Sequence, residues 1–218
     1  MPDTKTTRRI LIVDDHAIVR LGMQQLIAAQ ADLSSCGEAE TGEQALELAQ
    51  RMKPDLVVVD LSLSTMHGLE LVRHLHGLLP EMPVLVLSMH DESLFAERVL
   101  RAGARGYIMK KGAIDGLIHA IREVLAGKIY VSESVSQGLL VELRRGMAVP
   151  DGHLAGLTDR ELEVFELIGK GVSTAGIAER LGVSVKTIET YRSNIKTKLN
   201  LKDAAELVRF ATSWSQRP

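Results

Sequence analysis

The chain has 218 residues, 45% hydrophobic and 25% charged, which is ordinary globular composition and enough length for one large domain or two small ones. It contains no apolar run near the roughly 18 residues that cross a bilayer, no hydrophobic signal core in the starting "MPDTKTTRR", and a single cysteine. These features disfavour a membrane protein, an exported protein and a disulfide scaffold, and predict a cytoplasmic location. The net charge of −2 hides an asymmetry: residues 182–202 hold Lys186, Arg192, Lys196, Lys198 and Lys202 against one acid, Glu189.

The first half alternates apolar runs with helical patterns. Strands are predicted at 10–13, 33–38, 56–59, 84–87 and 106–109, and helices at 18–29, 44–52, 69–79, 94–102 and 114–125. That alternation implies βαβ units and a parallel sheet covered on both faces. "LVVVD" and "VLVLS" are apolar on consecutive residues, as two-sided burial requires. Cys36, inside the second strand, is expected to be a small buried hydrophobe. A further helix is predicted at 132–145, followed by the linker "GMAVPDGHLAG" at 146–156, and the remainder reads as helical.

Sites in open parallel sheets gather beyond the carboxyl ends of the strands. The residues at those ends are Asp14 and Asp15, Asp60, Ser88 and Lys110. Carboxylates about 5 Å apart repel by about 3 kcal/mol at an effective dielectric of about 20, so a cation is expected among them. All-oxygen ligation with few constraints suits Mg²⁺, which keeps waters and is commonly shared with a phosphate. The simpler reading, that Asp14 and Asp15 only favour a helix N-terminus, does not account for the acid, hydroxyl and amine at the matching strand ends. The seven histidines read as structural, with His90 the one near this site.

From Arg9 to about Lys128 the sequence resembles response-regulator receiver domains, on the acid pair, "VVVDLSL", "VLVLSMHD" and "GYIMKK". The resemblance implies a doubly wound, five-stranded, flavodoxin-like α/β fold. By it, Asp60 accepts a phosphoryl group from a histidine kinase. Asp14, Asp15, Asp60 and the Ser62 backbone carbonyl hold Mg²⁺, Lys110 pairs with the phosphoryl oxygens, and Ser88 and Tyr107 reorient as a switch. Two departures stand out. Ser64 replaces the proline usual four residues after the phosphorylated Asp, which predicts a looser loop, and Met89 is bulkier than the usual small residue, which predicts restricted access.

In the second half, Thr158 and Glu161 form a capping-box pattern, Ser173 and Ser184 can cap the next two helices, and Gly182 supplies the turn between them. Helix, short glycine turn and basic helix make a helix-turn-helix pattern. Ile188, Tyr191, Ile195 and Leu199 share one helix face and are expected inward. Lys186, Thr187, Glu189, Thr190, Arg192, Ser193 and Lys196 are the candidate DNA contacts, with Thr197 on the same polar face. Short polar groups suit base edges and flanking cations suit phosphates. From about Leu157 to Ala211 the chain is similar to LuxR-type DNA-binding domains. A receiver joined to one resembles the NarL/FixJ-type response regulators. That implies a fourth helix, about 203–212, for dimerisation, with Val208 and Ala211 on its exposed face.

The expected organisation is a receiver at 1–128, a linker with a helix at 129–153 and a small all-α domain at 154–218. The expected function is a non-enzymatic transcription regulator whose binding to double-stranded DNA is controlled by phosphorylation of Asp60. Its expected partners are a sensor histidine kinase and, once phosphorylated, a second copy; no membrane is involved. A phosphorylation-independent DNA-binding regulator, with the receiver used only for dimerisation, is the alternative. Phosphatases of the haloacid-dehalogenase type are disfavoured because they resemble Asp-x-Asp at the nucleophile, where Ser62 stands here.

Overall fold

The computed structural model describes residues 7–111, 113–137, 154 and 156–215. The chain divides into two compact units, parted between residues 139 and 140.

The first unit contains β1 (Arg8–Val13), α1 (Ala17–Ala28), β2 (Leu33–Ala39), α2 (Gly42–Met52), β3 (Leu56–Asp60), α3 (Gly68–Leu78), β4 (Val84–Ser88), α4 (Glu92–Arg101), β5 (Gly106–Met109) and α5 (Ala113–Leu125). The strands form one sheet in the order β2-β1-β3-β4-β5, with every pair parallel. The expected α/β sheet is therefore present, with element ends within two residues of the sequence reading. Alternation along each strand sends Ile10, Ile12, Leu56, Val58, Leu85 and Leu87 to one face. There they pack with Met23 and Ile27 of α1 and with Leu117 and Ile121 of α5. Leu11, Val57, Val59 and Val86 take the opposite face and are equally buried, beneath α2, α3 and α4.

Cys36 departs from expectation. The β1–β2 register jumps from Ile10↔Ser35 to Leu11↔Gly37, leaving Cys36 as the extra residue of a bulge. It is half-buried rather than buried, and burial still raises its thiol pKa.

The predicted helix at 132–145 is helical at 133–137; residues 138–145 and most of the predicted linker lie outside the described residues.

The second unit contains α6 (Asp159–Gly169), α7 (Thr174–Arg180), α8 (Val185–Lys198) and α9 (Ala204–Ser215). Each predicted cap is present. Thr158 and Glu161 close a capping box, Ser173 Oγ accepts from the Gly176 N–H, and Ser184 Oγ accepts from the Thr187 N–H. Gly182 sits at φ +63°, the left-handed conformation the turn between α7 and α8 demands. Ile188 and Ile195 are fully buried, as their spacing predicts, while Tyr191 and Leu199 are half-buried. Ala211, expected on an exposed face, is 1% exposed. It lies where α9 packs on α6, an arrangement tied by the Ser215 hydroxyl donating to the Gly169 carbonyl. Val208, three residues earlier, is 41% exposed.

Candidate functional site

Strand register brings the expected residues to one sheet edge. Val13 pairs with Val59, Asp60 with Leu87 and Ser88 with Met109, so β1, β3, β4 and β5 end nearly level. Asp14 and Asp60 are buried there, at 0% and 2% exposure, and Asp15 is half-buried. Lys110 reaches across them: its Nζ lies 2.7 Å from Asp14 Oδ2 and 2.8 Å from Asp60 Oδ2. Burial works against the charge on Lys110, but Asp60 and Asp14 outweigh it and hold its pKa above the ordinary value. Asp60 is raised above the ordinary carboxylate range by burial, opposed by Lys110 and reinforced by Asp14. One ammonium is too little for this much buried negative charge.

Ligand atoms from Asp14, Asp15, His16 and Asp60 all lie within 4.8 Å of one another. Asp15 Oδ1 and Asp60 Oδ1 are buried and have no hydrogen-bond partner among the described residues. Asp15 Oδ1 does have His16 Nδ1 at 2.7 Å, without hydrogen-bond geometry. Buried carboxylate oxygens without donors are costly, and hard oxygen ligands turned to one point are the donor set of a hard divalent cation. The residues present fit such an ion. His16 was not singled out by the sequence reading, although it directly follows the acid pair.

The loop after β3 is held despite the absence of proline. The Gly68 N–H donates to the Leu61 carbonyl at 2.9 Å, and the Thr65 hydroxyl donates to Glu43 at 3.0 Å. Only glycine fits at 68, because a Cβ there would come within 2.3 Å of the Asp60 carbonyl oxygen. Met89, at the residue after Ser88, is 62% exposed. His90, 5% exposed, joins three expected residues. Its Nε2 is 2.8 Å from Ser62 Oγ, its N–H donates to Ser88 Oγ at 3.1 Å, and its carbonyl accepts from the Tyr107 hydroxyl at 2.9 Å. Tyr107 is fully buried.

On α8, Lys186, Glu189, Thr190 and Ser193 are exposed, and Arg192 and Lys196 flank them half-buried. The Thr187 hydroxyl is 2.8 Å from Ser184 Oγ, which places it in the helix cap. The Thr190 hydroxyl donates to the Lys186 carbonyl at 3.0 Å and keeps its lone pairs for an outside donor. Lys198, part of the basic stretch, lies 2.6 Å from Glu161 and so links α8 to the start of α6. Charge counting along the sequence cannot reveal that pairing, because Glu161 is 37 positions away.

Residues 10–122 match the family described as the response regulator receiver domain, and residues 155–211 match the bacterial regulatory proteins of the luxR family. The chain is 38% identical over 202 residues to the transcriptional activator protein ExaE of Pseudomonas putida, covering 93% of this chain and 94% of the relative. It is 36% identical to the oxygen regulatory protein NreC of Staphylococcus haemolyticus, covering 93% and 96%. A LuxR-family two-component response regulator from Aurantimonas matches 63% of this chain and 99% of its own, at 36% identity and a TM-score of 0.59. The response regulator RcsB of Salmonella typhimurium matches 95% and 98%, at 25% identity and a TM-score of 0.65. The chain therefore belongs to the two-component response regulators that join a receiver domain to a LuxR-type DNA-binding domain, a family of DNA-binding transcription regulators rather than enzymes.

Proposed function

We propose that this response regulator is switched by phosphorylation of Asp60, and that the phosphorylated form binds DNA as a homodimer. The carrying observation is the pocket: Asp60 is buried, one oxygen is held by Lys110 and the other lacks a donor among the described residues. In the reaction an Asp60 oxygen attacks the phosphorus of a phosphohistidine on the sensor kinase; the P–N bond breaks and an acyl phosphate forms. Phosphoryl transfer depends mainly on positioning and charge neutralisation. Lys110 meets the developing negative charge. Asp14, Asp15, Asp60 and the Ser62 carbonyl hold Mg²⁺, which when bound supplies the remaining neutralisation. Ser88 and Tyr107, joined through His90, are the switch residues, positioned to relay a change at the pocket to Tyr107.

The output half reads DNA with α8 in the major groove. Glu189, Thr190 and Ser193 face base edges; Lys186, Arg192 and Lys196 face phosphates; and Thr187 contributes through the helix start. Val208 of α9 belongs to the dimer contact of these domains, and Ala211 supports it from the core. The receiver occupies 1–128 and the DNA-binding domain 154–218, joined by 129–153. No helix among the described residues is long and apolar enough to cross a membrane, and we place the protein in the cytoplasm beside its kinase.

The test is phosphate uptake. Wild type incubated with labelled acetyl phosphate and Mg²⁺ should retain label, and Asp60→Asn should fold and retain none. Label on Asp60→Asn would overturn the assignment.

A further inference from the structure

Adjacent residues of a strand point to opposite faces. Asp14 and Asp15 nevertheless reach one pocket, because the chain leaves β1 at Val13 and bends at Asp15. The carbonyl of the peptide between the two acids is not left to solvent. Arg20 Nη1 donates to the Asp14 carbonyl oxygen at 2.8 Å.

Arg20 lies on α1 and is only 7% exposed. Its remaining donors hold the end of β2 and the residue that follows: Nε bonds Glu38 Oε2 at 3.2 Å, and Nη2 bonds Glu40. These acids are themselves fixed, Glu38 by the Gln24 amide and the Glu40 backbone N–H by Gln44. One guanidinium thus ties α1, the tip of β1 and the end of β2 into a single body. Among the described residues its hydrogen bonds go to none of the three pocket carboxylates. The Asp14 carboxylate is held separately, Oδ1 by the His16 N–H at 2.9 Å and Oδ2 by Lys110.

We infer that Arg20 is a positioning residue that fixes the Asp14–Asp15 peptide, and through it the geometry that favours Mg²⁺ over Ca²⁺ in this pocket. The inference rests on the reading of the pocket as a cation site. Mg²⁺ demands nearly ideal octahedral geometry at short distances, whereas Ca²⁺ accepts longer, irregular coordination. A loosened peptide therefore weakens Mg²⁺ more than Ca²⁺. An Arg20 that acted only through its charge would affect both divalent ions alike, and its loss would tighten both. An Arg20 needed only for folding would leave both affinities of the folded protein unchanged. Lysine keeps the charge but cannot reproduce the planar fork that reaches three acceptors at once.

The experiment titrates Mg²⁺ and Ca²⁺ separately into full-length wild type, Arg20→Lys and Arg20→Met, followed by calorimetry, with circular dichroism as the check on folding. In Arg20→Lys the Mg²⁺ affinity should fall about tenfold, as for other residues that orient ligands, while Ca²⁺ affinity changes much less. Arg20→Met should lose the same selectivity. Equal losses for both ions, or unchanged Mg²⁺ affinity, in folded Arg20→Lys would overturn the inference, and so would tighter binding of both ions by Arg20→Met. If Arg20→Met does not fold, Arg20→Lys alone decides. Wild type that binds neither ion would instead overturn the cation reading itself.

Discussion

Asp60 holds a charge where the fold does not favour one. Its raised pKa means that the folded, metal-free protein binds a proton there at pH values where the unfolded chain has released it. Stability without metal should therefore fall as pH rises from the ordinary carboxylate range through the folded value. Asp60→Asn should remove that dependence and stabilise the metal-free receiver at neutral pH by about 1 kcal/mol, because the charge that burial disfavours is gone. Adding Mg²⁺ should stabilise wild type, by the linkage of binding to folding, and should stabilise the variant much less. Denaturation with and without a chelator, at several pH values, checks both. A less stable metal-free variant would show that the Lys110 pair outweighs the burial of charge. At this scale the sequence was legible only where chemistry coincided with a strand end. Asp14, Asp60, Ser88 and Lys110 could be found because a parallel sheet aligns such ends. Arg20, His16 and the Glu161–Lys198 pair could not, because their roles depend on side-chain directions that spacing does not encode.

Among the elements, α6 and α8 are joined by a contact that combines two local rules. Glu161 closes the capping box on the Thr158 backbone N–H and also pairs with Lys198. Burial pushes its pKa up, but Lys198 and Thr158 outweigh that and leave it below the ordinary glutamate range. Its contribution to stability is present above that range and is lost as pH falls through the lowered folded value. Glu161→Gln keeps a side chain that can close the capping box but loses the charge pair with Lys198; it should cost the DNA-binding domain up to about 1 kcal/mol at neutral pH and should flatten its acid limb. Thermal unfolding of the variant across the acid range is the check. Helix starts in the second half were legible because Thr158, Ser173 and Ser184 are cap residues ahead of periodic apolar patterns. Ala211 was misplaced for a physical reason: an alanine fits both a close helix–helix contact and an exposed face, so its identity does not choose. Val208 and Ala211 are three apart, yet one is exposed and the other is covered by α6.

At the level of the whole molecule, the two units carry different chemistry, and the proposed switch must couple them. Such coupling requires phosphorylation to stabilise one state over another by a few kcal/mol. With Lys198 engaged by Glu161, the candidate phosphate contacts are Lys186, Arg192, Lys196 and Lys202. For the unphosphorylated protein binding as a monomer, four contacts predict that log affinity falls with log salt at a slope of about −3.6. Lys196→Ala should weaken binding to all sequences alike and reduce that slope by about 0.9. Thr190→Ala should instead cost about 1–3 kcal/mol of discrimination at one base pair. A salt series on both variants separates these roles, and identical behaviour of the two would contradict the placement of α8. That the chain falls into two units was legible from the change of rhythm between its halves, strands alternating with helices up to about residue 128 and helices alone from Leu157.

The most direct test of phosphorylation control is the DNA affinity of full-length protein before and after incubation with acetyl phosphate and Mg²⁺. The probe is a DNA site selected from a random pool by the phosphorylated protein. Selected sites should contain paired, inverted half-sites, as a two-fold dimer requires. Wild type should bind about 10²-fold more tightly once phosphorylated, the gain expected from linking two heads, and Asp60→Asn should not respond. Equal affinity of phosphorylated and unphosphorylated wild type, or the same gain in Asp60→Asn, would contradict the account.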